Sequence, residues 1–390
     1  MTAELIISEG VGRLRRAIRS DHGSWADVPL AAEGLWPSWS PDGARLIVTW
    51  AGTRGKDVRS AVRLLDGDGR AIRDLYVSAA DGPAVIAPRV PQYARWSPGG
   101  DMVSIVAAAA DSLSLYLSDP EGVFTADRIA RGAPIFHTWS DDGRFLAIHA
   151  GAELLLYRVA ERETVLLASE AVGFRAPVFV SGGLAYCIAA ADGVTLVWRD
   201  LDASESHSLA SYPAGAVLQR RGGPGGELAV SVAAGEDMAG SLGGMWALDP
   251  GGTARPRLIV RGPFNAAAWS PAGDKVALIV PTQIGDGRFA VNVHDADGRF
   301  DSATEGFVPS QDMRTFMSFF DQYAGSHPVW SPDGSALVVC GRLPGDGVAW
   351  SFADQQRDYV WYWSAHRGSP LEMVGAGDAA FFAPENGNAR

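Results

Sequence analysis

A short turn motif that keeps returning constrains this chain more than any other feature. Trp39-Ser-Pro-Asp-Gly43 comes back as Trp96-Ser-Pro-Gly-Gly100, Trp139-Ser-Asp-Asp-Gly143, Trp269-Ser-Pro-Ala-Gly273 and Trp330-Ser-Pro-Asp-Gly334. Phe179-Val-Ser-Gly-Gly183 is a worn copy, and Gly222-Gly-Pro-Gly-Gly226 a poorer one. The repeating unit is about 45 residues, lengthened in places by loop insertions. Apolar residues ahead of each Trp form a short strand. Pro presets φ, Asp bonds its own backbone and Gly accepts a positive φ, so the motif turns the chain. The next run is apolar and β-branched, as in Arg45–Trp50, Met102–Ala108, Phe145–His149, Lys275–Val280 and Ala336–Val339. That is a hairpin with a buried second strand.

A second hairpin follows each first one, as where Val62–Asp66 leads through Gly67-Asp-Gly69 to Ile72–Val77. Four antiparallel strands per unit make one propeller blade, with the Trp packed between neighbouring units. Seven complete units run from Leu35 towards Val374. Outside them, Glu4–Ser8 and Arg13–Arg19 read as a third-and-fourth-strand hairpin. Ala380-Phe-Phe-Ala-Pro-Glu-Asn-Gly387 reads as a first strand and turn, with Phe382 in the Trp slot. Joined, these ends make a split eighth blade lacking most of its second strand, and the closed ring has no free edge. The expected fold is all-β: one propeller domain over residues 1–390, with eight blades. Seven blades and a loose N-terminal hairpin is the alternative. Residues 301–326 read as an inserted helical and loop segment before the blade starting near residue 327. Within it Ser310 is the N-cap of a helix over Gln311–Ala324, where Met313, Phe316, Met317, Phe320 and Ala324 recur at helical spacing.

Charge narrows the partners. With 45 acidic against 33 basic residues the net charge is −12, which repels phosphate backbones and argues against nucleic acid. Arg13, Arg15, Arg16 and Arg19 are the nearest thing to a basic cluster and are expected on one solvated face of a hairpin. The only cysteines, Cys187 and Cys340, lie in strand-like runs and are expected to be buried free thiols. Met1–Gly10 has no basic region followed by an apolar stretch, and no window approaches ~18 uninterrupted apolar residues. A cytoplasmic protein without membrane contact is therefore expected, and a monomer, since the ring is closed.

The repeated Trp-Ser-Pro-Asp-Gly resembles the TolB-like propeller repeat, also called the PD40 or WD40-like repeat, over nearly the whole chain. That family includes Tol-system scaffolds, propeller domains of prolyl-oligopeptidase-like peptidases, and an oligogalacturonide lyase with several histidines at a manganese site. The resemblance implies the fold more than a function. This chain shows no Gly-x-Ser-x-Gly nucleophile elbow and no α/β-hydrolase region.

Propeller ligands gather at the central channel, where the loops entering the innermost strands converge. Those loops carry Trp36, Gln92, Tyr93, Phe136, Arg175, Asn265 and His327, and the inserted segment adds Asp321, Gln322 and Tyr323. Aromatics, amides, a guanidinium and an imidazole suit a peptide or protein segment. Trp36, Tyr93 and Phe136 also suit plain channel-filling core. The expected function is a non-catalytic binding scaffold without cofactor. The alternative is a propeller enzyme, a metal-dependent lyase or a hydrolase, with His137 and His327 near the axis. Two such histidines are thin for a metal site, and no HExxH or paired Cys-x-x-Cys supplements them.

Overall fold

In the computed structural model the described residues are 3–54, 57–78, 93–108, 112–122, 126–172, 175–203, 205–213, 215–222, 226–234, 241–251, 255–283, 287–343 and 357–385. They form eight four-stranded antiparallel sheets, each the blade of a propeller. The first blade is Leu35–Trp39, Arg45–Arg54, Asp57–Asp66 and Ala71–Val77, innermost strand first. Blades two to seven follow in chain order. The eighth is shared by the two ends of the chain. No helix among the described residues is long and apolar enough to cross a membrane.

The motif builds the inner hairpin of each blade by one device. Ser40 Oγ donates to Asp42 Oδ1 at 2.5 Å and accepts from the Arg45 backbone N–H at 2.9 Å. The Ser40 bond holds the Asp42 carboxyl below its ordinary range. Gly43 sits at φ 71°, a left-handed value that glycine adopts freely. Two copies lack the turn Asp, having Gly99 or Ala272 in its place. Both carry an Asp one residue beyond the final Gly. Ser97 then bonds Asp101 at 2.6 Å, and Ser270 bonds Asp274 at 2.7 Å.

The motif tryptophans do pack between blades. Trp96, Trp139 and Trp330 donate their indole N–H to Ser38 O, Ser104 Oγ and Ala268 O of the preceding blade. Arg16, Arg45 and Arg221 lie over Trp39, Trp96 and Trp269, again from the preceding blade.

The ring closes where Ala379–Phe382 pairs with Glu4–Glu9, with Leu5 opposite Phe382. Two expectations change here. Glu4–Glu9 and Arg13–Arg19 are the second and third strands of this blade, and its fourth is Trp25–Glu33. That outer strand was invisible in sequence because most of its residues are solvent-exposed, so no apolar alternation marks it. The arginines are also not one solvated face. Arg15 is buried and bonds Asp27 and Ala376 O, while Arg19 pairs with Glu372 at 2.8 Å and lies 4.6 Å over the Tyr362 ring. They staple the split blade to the seventh.

Two smaller readings also shift. Cys340 is buried but Cys187 only partly so; both are free. In the fifth blade Arg220 pairs with Leu228 as Trp39 pairs with Leu46, so Arg220 holds the Trp slot rather than Gly222. Residues 223–225 of that poor copy lie outside the described residues.

Asp101→Ala should lower stability in urea unfolding by about 1–2 kcal/mol. Adding Gly99→Asp, which restores the carboxylate position of Asp42, should recover most of it. A wild-type midpoint for D101A, or no recovery in the double variant, would refute the interchange.

Candidate functional site

One end of the channel is sealed by the inserted segment. Helix α1, Gln311–Ser318, begins at Ser310, whose hydroxyl accepts from Met313 N–H at 3.0 Å, and it buries Met313, Phe316 and Met317. The chain breaks at Phe319 and continues as α2, Phe320–Tyr323. The single helix expected over Gln311–Ala324 is thus two pieces, and Ala324 is exposed. The insertion is narrower than 301–326. Phe300–Ala303 is the outer strand of the sixth blade, and Val308–Pro309 already pairs with Gly341 and Arg342 of the seventh. The chain leaves that inner edge for the helices and returns to it at Trp330, which bridges to Leu337.

Most of the described residues expected to hold a ligand pack within or against this plug. Trp36 adopts φ 53°, a costly value for a tryptophan, and its ring lies 4.6 Å from Tyr323 and 5.6 Å from His327. Tyr93 donates to Gln322 O at 2.8 Å. The Gln322 side-chain oxygen accepts from His137 N–H at 3.2 Å. Asp321 accepts from Arg175 at 3.3 Å and from Ala176 N–H at 3.1 Å, and burial raises its pKa against the pull of Arg175. Trp36, Tyr93, Gln322, Tyr323 and His327 are all buried. Asn265 stands apart at the start of the sixth inner strand, its N–H bonded to Ile279 O. Gln92 lies outside the described residues.

Both candidate metal ligands are enclosed. His327 Nε2 faces Trp36 O at 3.4 Å and so carries the proton, leaving Nδ1 to accept from Ser326 Oγ at 2.7 Å. His137 Nε2 is 2.8 Å from Ser104 Oγ, which itself donates to Arg95 O. Burial, with a contribution from the Arg95 charge, depresses both imidazoles from 6.5 to about 3. Among the described residues no group of three or more His, Cys, Asp or Glu is arranged to hold a metal.

The open space lies beneath the plug, towards the motif turns. A chamber of about 250 Å³ is roofed by Asp321, Ala324 and Gly325 and walled by Arg95, Thr138, Trp139, Phe179, Gln219, Arg220 and Trp269. A second cavity of about 290 Å³ adjoins it on the turn side. Both are bounded by Phe179, Asp141 and Arg220. The Arg220–Asp141 ion pair reaches from the fifth blade to the third, past the fourth.

The worn repeats explain why space opens here. In the fourth blade Val180 pairs directly with Gly183, leaving a two-residue turn, Ser181-Gly182, at φ 52° and 75°. That is a tight hairpin turn where the other blades have a longer loop. In the fifth blade a flexible arginine replaces the rigid Trp. The chamber residues Arg95, Thr138, Asp141, Gln219 and Arg220 were not singled out from sequence. The signal was present as the two degraded motif copies.

No protein-family model matches the chain, and no curated protein matches its sequence. Solved structures match its fold. A eukaryotic initiation factor is similar at a TM-score of 0.57 and 12% identity over 98% of each chain. A dipeptidyl peptidase 4 from Porphyromonas gingivalis is similar at 0.51 and 12%, covering 87% of this chain and 53% of that one. TolB from Acinetobacter baumannii is similar at 0.39 and 14%, covering 88% and 83%. At such identities the first two likenesses establish the propeller fold alone.

Two consequences can be measured. The unfolded chain binds protons at its histidines near pH 6.5, whereas folded His137 and His327 resist until about 3. Their contribution to stability is therefore complete above 6.5 and declines as the pH falls from 6.5 towards 3. In NMR both rings should keep neutral shifts at pH 5, and titration of either near 6.5 would contradict their enclosure. Asp321→Ala strands Arg175 and the Ala176 N–H and should cost about 2–3 kcal/mol in urea unfolding. An unchanged midpoint would mean Asp321 does not anchor the plug.

Proposed function

We propose that this protein is a non-catalytic binding scaffold that takes an extended peptide or protein segment from the turn face into the channel. The observation that carries this is the pair of adjoining cavities at the two worn blades, separated by one Arg–Asp pair. An exposed ion pair holds weakly, by about 0–1 kcal/mol, and is readily exchanged for ligand contacts. Each cavity alone falls just below the usual size of a ligand site, where volumes run roughly 300–1,000 Å³. Together they suit a strip of chain rather than a folded surface. Trp139, Phe179 and Trp269 offer the aromatic walls, and Thr138 and Gln219 the polar contacts. The binding end differs from the one expected from sequence, because the aromatic loop residues there are buried under the plug.

The test is capture of random synthetic dodecapeptides with free termini on the immobilised full chain, read by mass spectrometry. Thr138→Trp and, separately, Ala324→Trp fill the chamber from a wall and from the roof. Selected peptides should bind either variant at least about tenfold more weakly than wild type, while melting temperatures stay close to wild type. Undiminished binding to both folded variants, or no peptide captured at all, would sink the proposal.

A further inference from the structure

Charge in the chamber is not balanced. Arg175, at the plug, is paired with Asp321, and Arg220 with Asp141. Arg95, from the inner strand Ala94–Trp96, also lines the chamber and is half-buried. Among the described residues no carboxylate stands within ion-pair distance of it, and the side-chain partner its guanidinium does have, the Tyr93 hydroxyl, is neutral. The two nearby imidazoles are neutral at physiological pH, so neither alters this sum. With Asp321 matched by Arg175 from beside the plug and Asp141 by Arg220, Arg95 is the charge in the chamber wall that no described carboxylate meets, in a protein whose net charge is −12.

The roof is shaped to this group. A side chain at Gly325 would bring its Cβ within 2.4 Å of Arg95 Nη2. Gly325 does not hold a positive φ, so turn geometry does not call for glycine there. What it provides is room for a flat guanidinium against the backbone. A partly desolvated guanidinium is costly unless an anion meets it, and its planar fork suits two oxygens at once.

We propose that the chamber is an anion subsite in which Arg95 receives a carboxylate or phosphate group of the bound ligand. This rests on the peptide reading above for one source of that group, the C-terminal carboxylate of an inserted segment. A free small anion is the other source with the same chemistry. Binding would complete the charge balance the fold leaves open. Arg95→Met removes the charge without breaking an existing ion pair and gives up only the bond to the Tyr93 hydroxyl, so the unliganded variant should melt close to wild type. Gly325→Ala keeps the charge but displaces the guanidinium.

The experiment compares selected peptides as free acids and as C-terminal amides, by calorimetry on the full chain, with inorganic phosphate and acetate as separate probes. Free acids should bind at least about tenfold more tightly than amides. Arg95→Met and Gly325→Ala should each erase most of that ratio, Arg95→Lys should retain part of it, and phosphate should compete with the acids. Peptides that bind, are blocked by Thr138→Trp, and ignore both amidation and Arg95→Met would overturn the anion subsite while leaving the peptide reading intact. Phosphate or acetate binding that depends on Arg95, with no peptide binding, would uphold the subsite, identify a small anion as its source and overturn the peptide reading. Binding of none of these probes would overturn both.

Discussion

Eight sheets arranged around an axis leave eight inner edges facing one another. An edge strand carries backbone N–H and C=O groups with no partner on that side, and buried groups of this kind must be satisfied. At one end of this channel the inserted segment does that. Gln322 accepts from His137 N–H, Asp321 accepts from Ala176 N–H, Pro328 O accepts from Phe382 N–H, and His327 faces Trp36 O. These bonds reach the inner strands of the third and eighth blades and the inner ends of the fourth and first. The plug is therefore a shared partner for strands that never meet. Residues with a polar tip on an aromatic or amide body are the ones that can fill such a space and cap its edges together.

That constraint explains why residues expected at a ligand site are found packed into a plug. Trp36, Tyr93, Gln322, Tyr323 and His327 have the composition of a ligand site because closing a channel and binding a ligand need the same chemistry: apolar bulk with hydrogen-bonding tips. Sequence gives the residue types, and it does not say whether their partners come from the same chain. The Gln322 carbonyl bonded by Tyr93 is 229 residues away along the chain. Pairings at such range leave no local pattern.

The architecture was far more legible, and for the complementary reason. Each inner hairpin is encoded within a few residues, by a Ser hydroxyl, an Asp carboxylate and a glycine at positive φ, and the code is written five times. Ring closure could be read from the apolar runs at both ends, down to Phe382 in the Trp slot opposite Leu5. The strand Trp25–Glu33 could not, because an outer strand exposed to solvent needs neither alternation nor bulk. Even the exchange of Asp42-type for Asp101-type carboxylates was visible as letters. It became meaningful only when both were found on the same serine hydroxyl position.

The same repetition shows where the molecule departs from structural economy. A ring of equal units needs the same wedge and the same turn in every blade. The fourth blade has a shortened turn and Phe179 for Trp, and the fifth has Arg220 for Trp. Both changes remove rigid volume on one side of the axis. Neither is needed for closure, since the other blades keep the full motif or, in the eighth, replace it with the terminal strand. The space they open is bounded in part by long, movable side chains, Arg220 and Asp141. Relaxation of the strict repeat at adjacent units coincides with the cavity at that point and with an arginine in its wall that no described carboxylate meets. A void lined by apolar atoms alone stays dry, whereas this chamber is walled by arginines, aspartates, Thr138 and Gln219 as well as by indoles, and so is chemically suited to water and polar groups.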